Sequence, residues 1–210
     1  MLKKNRITLI ITTVIILIPM LVGVILWERL PDMIATHFGP NNEADGWTGK
    51  AFTVFGVPLI MLALQWVCVF AVQADPKTKN INPKMFTLTL WLVPIIAVVA
   101  MTAIFAIALE VSVNMEMICT VLLSVLMIVL GNYMPKCRQS YTVGYKLPWT
   151  LNDEGNWNAT HRFAGWTMLI GGVILLISSP FAVSWIGFTV MTVIAFAPMV
   201  YSYVYYIRHK

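Results

Sequence analysis

The sequence predicts an all-α membrane protein of six transmembrane helices, with both termini inside, a small extracellular cap and a structured cytoplasmic loop. Three observations carry this reading: the composition, six apolar runs of spanning length, and a one-sided distribution of Lys and Arg. Of 210 residues, 59% are hydrophobic and 11% charged, where soluble domains run at about 45–50% and about 25%. The mean hydropathy is +0.80. A soluble fold of this size cannot bury so much apolar surface and still keep a polar shell. The composition excludes an ordinary cytosolic enzyme, a disulfide-stapled secreted scaffold and a disordered tail.

The runs follow in order. Ile7–Trp27 comes after the basic Lys3, Lys4 and Arg6 and lacks a small-residue cleavage site, so it reads as an uncleaved first helix rather than a signal peptide. Phe52–Gln73, Thr87–Leu109 and Met117–Leu130 come next, the last able to extend to Met134. The stretch Phe163–Ile207 holds no charged residue. It is too long for one span of about 20 residues and divides at Ser178, Ser179 and Pro180 into Phe163–Ser179 and Ser184–Ile207. With six spans, every Lys and Arg except Arg29 and Lys50 falls on one side, and Glu28, Asp32, Glu43, Asp45, Glu110 and Glu116 fall on the other. The positive-inside rule makes the basic side, with both termini, cytoplasmic. The net charge of +5 is thereby assigned to the membrane, and no direct nucleic acid binding is expected. Cys68, Cys119 and Cys137 are widely separated and form no metal or disulfide pattern. No cofactor is expected.

Two loops are too long to be plain connectors. In the outside loop, 28–50, Pro31-Asp32 and Asp45-Gly46 signal turns, Met33–Phe38 reads as extended, and Asn41-Asn42 should reverse the chain. The expectation is a small cap of two short strands, with Trp47 as an interfacial anchor. His37, with Asp32, Glu43 and Asp45 near it in sequence, matches no zinc spacing, so no metal is assigned. In the inside loop, 132–162, Pro148 and Trp149 precede Thr150, which reads as an N-cap with Asp153 at N3. A helix from Leu151 would then run straight into the fifth span. On it Asp153, Trp157 and His161 align at helical spacing, beside a second stripe of Glu154, Asn158 and Arg162. The plain alternative is an interfacial helix in which Arg162 reaches lipid phosphate.

At these loops the chain resembles the SdpI family of bacterial membrane proteins. The inner motif stands as Lys146-Leu147-Pro148-Trp149-Thr150-Leu151, then Asp153-Glu154, Trp157 and Thr160-His161-Arg162, with Gly131-Asn132 and Met134–Arg138 upstream. The outer motif stands as Leu30-Pro31-Asp32, His37, Asp45-Gly46-Trp47 and Lys50. Lys146 and Leu147 replace the family's usual Arg and Thr, and Ala35 a usual Pro; a lysine does not reproduce a bidentate arginine. The resemblance implies a multi-pass bacterial plasma-membrane protein, whose namesake gives immunity to a secreted toxic peptide and relays its presence by holding a transcriptional repressor at the membrane. It also implies an N-terminal helix pair, 1–73, carrying the cap, and an SdpI-like four-helix region, 87–210, carrying the inner loop. On this reading the candidate contacts are Asp32, His37, Asp45 and Trp47 for the toxin peptide. For the repressor they are Lys146, Pro148, Trp149, Thr150, Asp153, Glu154, Trp157, His161 and Arg162. Membrane lipids are further partners.

The competing classes are a small-solute transporter or channel and an intramembrane enzyme. The span interiors hold no Lys, Arg, Asp, Glu or His, and Gln65 and Gln73 are their only Gln residues, which disfavours a proton-coupled path. Asp153, Glu154 and His161 offer acid–base groups, but no recognised catalytic motif surrounds them.

Overall fold

The computed structural model describes residues 2–39, 42–181 and 184–209. Among them six helices are long and apolar enough to cross a membrane: Leu2–Ile25, Phe52–Gln73, Pro83–Ala108, Met115–Lys136, Glu154–Phe181 and Trp185–Arg208. Each predicted run corresponds to one of these helices, the first and third runs ending just past Ile25 and Ala108. The regular elements are α1 (Arg6–Ile25), strands β1 (Met33–Phe38) and β2 (Ala44–Gly49), α2 (Val57–Gln73) entered by a π-helical turn over Phe52–Gly56, α3 (Pro83–Ala108), α4 (Met115–Tyr133), α5 (Pro148–Asn152), α6 (Glu154–Ser178) and α7 (Ser184–Arg208). The chain divides into two compact units, Met1–Phe70 with Thr87–Ile118 and Ala71–Phe86 with Cys119–Lys210.

In the first unit the 28–50 loop is an antiparallel hairpin, so the fold is helical with one two-stranded sheet. Met33 pairs with Gly49, Ile34 with Thr48 and Ala35 with Trp47; irregularities on either side of His37 then put it opposite Gly46. The turn expected at Asn41-Asn42 falls partly on Asn41, outside the described residues. Asn42 has φ 64°, a left-handed conformation that Asn tolerates better than most side chains. Its side chain works on the neighbouring helix: Oδ1 accepts from Met115 N at 2.6 Å, and Nδ2 donates to the Val113 carbonyl at 3.0 Å. Asn114 Oδ1 takes Met117 N at 2.9 Å, so two Asn side chains satisfy the orphan amides at the start of α4. Beneath the hairpin Leu30, Ile34, Val54, Met101, Phe105 and Met115 form one buried cluster.

Lys50 closes the hairpin's base. Its ammonium donates to the carbonyls of Leu30 (2.9 Å) and Trp27 (3.3 Å), sits 3.2 Å from Asp32 Oδ1 and lies over the Trp27 ring at 5.2 Å. These carbonyls lie in the turn that follows α1, near the helix end where a cation is favoured. Deeper in, Gln65 Nε2 donates to Thr12 Oγ1 at 2.9 Å, both side chains being buried.

In the second unit α6 runs antiparallel to α4 and α7. A Cβ on Gly165 would lie 2.8 Å from the Gly131 carbonyl, and one on Gly172 would lie 2.9 Å from the Ser124 carbonyl. Two small residues seven apart thus let α6 and α4 meet backbone to backbone, as membrane helices do when no water is present to drive association. Outward, Ile170, Ile174 and Ile177 on α6 and Phe188, Phe196 and Val200 on α7 are exposed, which suits faces turned to lipid.

Two local expectations are corrected. Thr150 is not an N-cap; it is the third residue of the short helix α5, whose N-cap position is Leu147. The long helix does not run through from Leu151. It breaks at Asp153, whose extended backbone (φ −131°, ψ 113°) makes it the N-cap of α6, with Oδ1 accepting from Gly155 N at 2.8 Å. The Asp153 carboxylate caps this start better than a threonine one turn earlier, because a charged acceptor meets the positive helix end.

Candidate partner-binding site

The second unit gathers the α2–α3 turn, the 137–153 loop and the start of α6 into one polar assembly. Asp75, which the sequence reading passed over, is its hub. The side chain is buried. Its Oδ2 accepts from Ser140 Oγ (2.6 Å), Tyr141 N (2.9 Å), Thr142 N (2.9 Å) and Thr142 Oγ1 (2.7 Å). Its Oδ1 accepts from Lys77 N at 2.7 Å. Burial alone would raise the carboxyl's pKa, but the donors from Ser140, Thr142 and Lys77 outweigh it and hold the pKa below the usual aspartate value. Gln139 extends the clamp: its amide donates to the Thr150 carbonyl at 2.9 Å and accepts from Lys77 Nζ at 3.0 Å, and its carbonyl takes Asn80 Nδ2 at 3.0 Å.

From this anchor the loop reaches His161. Gly144 has φ +115°, a conformation that side chains resist, and a Cβ there would lie 2.3 Å from His161 Nε2. Its absence lets Tyr145 N donate to His161 Nε2 at 3.0 Å. His161 Nδ1 lies 2.8 Å from the Trp157 carbonyl, which can only accept. The proton is therefore on Nδ1, and the ring is neutral with both nitrogens engaged. His161 stacks on Trp157 at 4.0 Å and 20°, and Trp157 Nε1 donates to the Cys137 carbonyl at 2.8 Å. Both rings are fully buried.

Thr150 Oγ1 takes Leu147 N at 2.9 Å and donates to the Tyr145 carbonyl at 2.9 Å. Tyr145 Oη donates to the Ile194 carbonyl at 2.7 Å. That carbonyl would normally receive the amide of residue 198, but Pro198 sits there in α7 and has no N–H. A loop tyrosine thus completes a helix that its own proline interrupts. Trp149 ties α5 to α7 through Nε1 to Ser202 Oγ (2.7 Å) and by stacking on Tyr206. Asn156 bridges below: Nδ2 to the Ser202 carbonyl (3.0 Å), with Oδ1 receiving Ser202 Oγ (2.9 Å) and Thr160 Oγ1 (2.9 Å).

The predicted residues therefore separate by role. Thr150, Trp157 and His161 are internal. Pro148, Trp149 and Asp153 line a cavity of about 400 Å³ with Asn152, Tyr206 and His209. Lys146, Glu154 and Arg162 are exposed, and Arg162 lines a second cavity of about 340 Å³. Asp32, His37, Asp45 and Trp47 lie on the hairpin of the other unit. There His37 Nδ1 meets Asp45 Oδ1 at 2.5 Å with both side chains more than half exposed, Asp32 is almost wholly exposed and Trp47 is 54% exposed. Among the described residues no three His, Cys, Asp or Glu side chains are placed to hold a metal. Burial pushes the Cys137 thiol up to about 11 and the Tyr145 phenol up to about 12, so both are protonated at neutral pH.

The sequence reading missed Asp75, Gln139, Tyr145, Asn156 and Ser202. A polar residue stranded in an apolar run, as Ser202 is, was the available signal; Asp75, two residues before Lys77, looked like an ordinary interfacial charge.

Comparison with known proteins bears on both loops. Residues 136–202 match the SdpI/YfhL protein family, and residues 14–62 match a Domain of unknown function (DUF1648). The chain is 26% identical over 207 residues to Immunity protein SdpI of Bacillus subtilis (strain 168), covering 97% of this chain and 96% of that protein. No solved structure matches it. The chain is a multi-pass membrane protein similar to an immunity protein along nearly its whole length.

Proposed function

We propose that this chain is an immunity protein of a bacterial plasma membrane, protecting its cell against a secreted antimicrobial peptide. The observation that carries the reading is the similarity to Immunity protein SdpI over 97% of the chain, which includes the hairpin and the polar assembly alike. In the proposed orientation both termini are cytoplasmic and the hairpin is outside. Asp32, Asp45 and Glu43 then offer carboxylates to a cationic peptide, and Trp47 offers an exposed indole beside them. The 137–153 loop faces the cytoplasm, where Lys146, Pro148, Asp153 and Glu154 form the accessible edge against which a repressor would be held. The helix pair 1–73 serves the outer role and the region 87–210 the inner one. No catalytic step is proposed.

The test is expression in Bacillus subtilis lacking its own SdpI, with survival measured against the secreted peptide that SdpI resists and membrane abundance measured in parallel. Restored survival is expected. Killing at normal abundance overturns the reading. Loss of protection in a D32N/D45N variant at unchanged abundance is the expected signature of the hairpin contact.

A further inference from the structure

Where α6 begins, a second pocket opens on its surface. Its polar wall is Gly155, Asn158 and Arg162, and its aromatic wall is Phe163, Trp166 and Tyr201. Arg162 is exposed, and among the described residues no hydrogen bond or ion pair engages its guanidinium. It is also the last charged side chain before the uncharged stretch 163–207, so it marks the depth at which water gives way to hydrocarbon. One turn further in, Trp166 is 61% exposed, at the level where indoles favour the headgroup region. Phe163 and Tyr201 stack face to face at 4.6 Å and 9° and make the floor rigid. Asn156 holds α6 to α7 beside it. The pocket therefore has a cationic fork above, an amide next to it and a flat apolar surface below.

That layering is the layering of a phospholipid. We propose that this pocket binds one anionic glycerophospholipid, with Arg162 on the phosphate, Asn158 on the headgroup hydroxyls and the acyl-ester region over Trp166 and the Phe163–Tyr201 pair. A guanidinium meets phosphate oxygens with paired, charge-assisted hydrogen bonds. No carboxylate lines the pocket, so a headgroup ammonium would find no counter-charge, and a glycerol headgroup is favoured over choline or ethanolamine. The inference is independent of the immunity reading and of which side of the membrane the pocket faces, because it needs only that the uncharged stretch be in lipid.

The test uses the full-length protein in detergent, mixed with equal amounts of phosphatidylglycerol and phosphatidylcholine, with retained lipid counted by native mass spectrometry. Retention of one phosphatidylglycerol is expected, preferred about tenfold over phosphatidylcholine. In R162Q that preference should vanish, and R162K should keep part of it. Millimolar glycerol 3-phosphate should not displace the lipid. Equal retention of the two lipids by the unaltered protein overturns the proposal without any variant. So does an unchanged preference in R162Q, and displacement by glycerol 3-phosphate would make this a soluble-phosphate site instead.

Discussion

Replacing Asp75 tests whether one carboxylate organises the inner loop. Oδ2 receives four donors from residues 140–142, and Oδ1 receives the Lys77 amide. A hydrogen bond to a charged group contributes about 1.5–3 kcal/mol, and bonds sharing one acceptor do not add. In D75N the amide oxygen can keep the Oδ2 position, but the NH₂ group then faces the Lys77 N–H and the charge is gone. The expected cost is about 2–3 kcal/mol. D75A removes the acceptor of three backbone amides and two hydroxyls together, for about 4 kcal/mol or more. The direct assay is hydrogen exchange at Tyr141 and Thr142, whose amides end on Oδ2. D75N should speed it roughly 30- to 140-fold while amides in α1 stay unchanged. Exchange at Tyr141 and Thr142 that is unaltered in D75N would refute the hub. The pH dependence has a defined sign. The folded carboxyl titrates below the usual 3.8, so between the two values the unfolded chain binds the extra proton. The contribution is complete above the usual value and is lost as pH falls through the lower, folded one. Loop protection should thus be flat from pH 5 to 8 as far as Asp75 is concerned, and D75N should remove the acid-side loss.

Three further expectations are independent of it. Y145F should cost about 1–3 kcal/mol by leaving the Ile194 carbonyl without a donor, and in a P198A background, where residue 198 regains its N–H, the same change should cost far less; equal costs in the two backgrounds, read by thermal melting, would break the link. G144A should cost several kcal/mol, since it combines a left-handed φ with a Cβ driven into His161, and a melting shift of under 2 °C would contradict the described loop. In a cysteine-free background, a thiol at position 43 should label from outside the cell and one at position 80 only after permeabilisation, and the reverse pattern would invert the proposed orientation.

The six apolar helices were legible because spanning length and lack of charge are properties of a continuous run. The extended segment 33–38 was legible from turn residues on both sides of it. Boundaries were not. Pro83 begins α3 ahead of the expected Thr87 because proline is well placed at a first helical position and Asn82 Oδ1 accepts from Lys84 N at 2.9 Å; hydropathy reports neither. Thr150 read as the N-cap with Asp153 at N3 of one continuous helix, and the sequence could not say that α5 and α6 are two helices sharing one break at Asp153. Periodicity did align Trp157 with His161, but not the direction in which that face points. The pairing of Asp75 with residues 140–142 and of Tyr145 with Ile194 joins segments more than 45 residues apart, which no local pattern records.

Burial of Trp157 and His161 changes what a mutational series in this loop can mean. Read from sequence, His161 and Arg162 are neighbours in one motif and equal candidates for contact with a partner. In the structure they are opposites: His161 spends both ring nitrogens inside the protein, whereas Arg162 points into an open pocket. A His161→Ala chain loses the acceptor for Tyr145 N and the ring stacked on Trp157, so it should lose protection and membrane abundance together. An Arg162→Ala chain removes no internal bond and should keep its abundance. A partner-dependent phenotype can therefore be assigned only to exposed positions, the edge formed by Lys146, Pro148, Asp153 and Glu154 together with Arg162, and loss of function at the buried residues reports a collapsed loop rather than a lost contact.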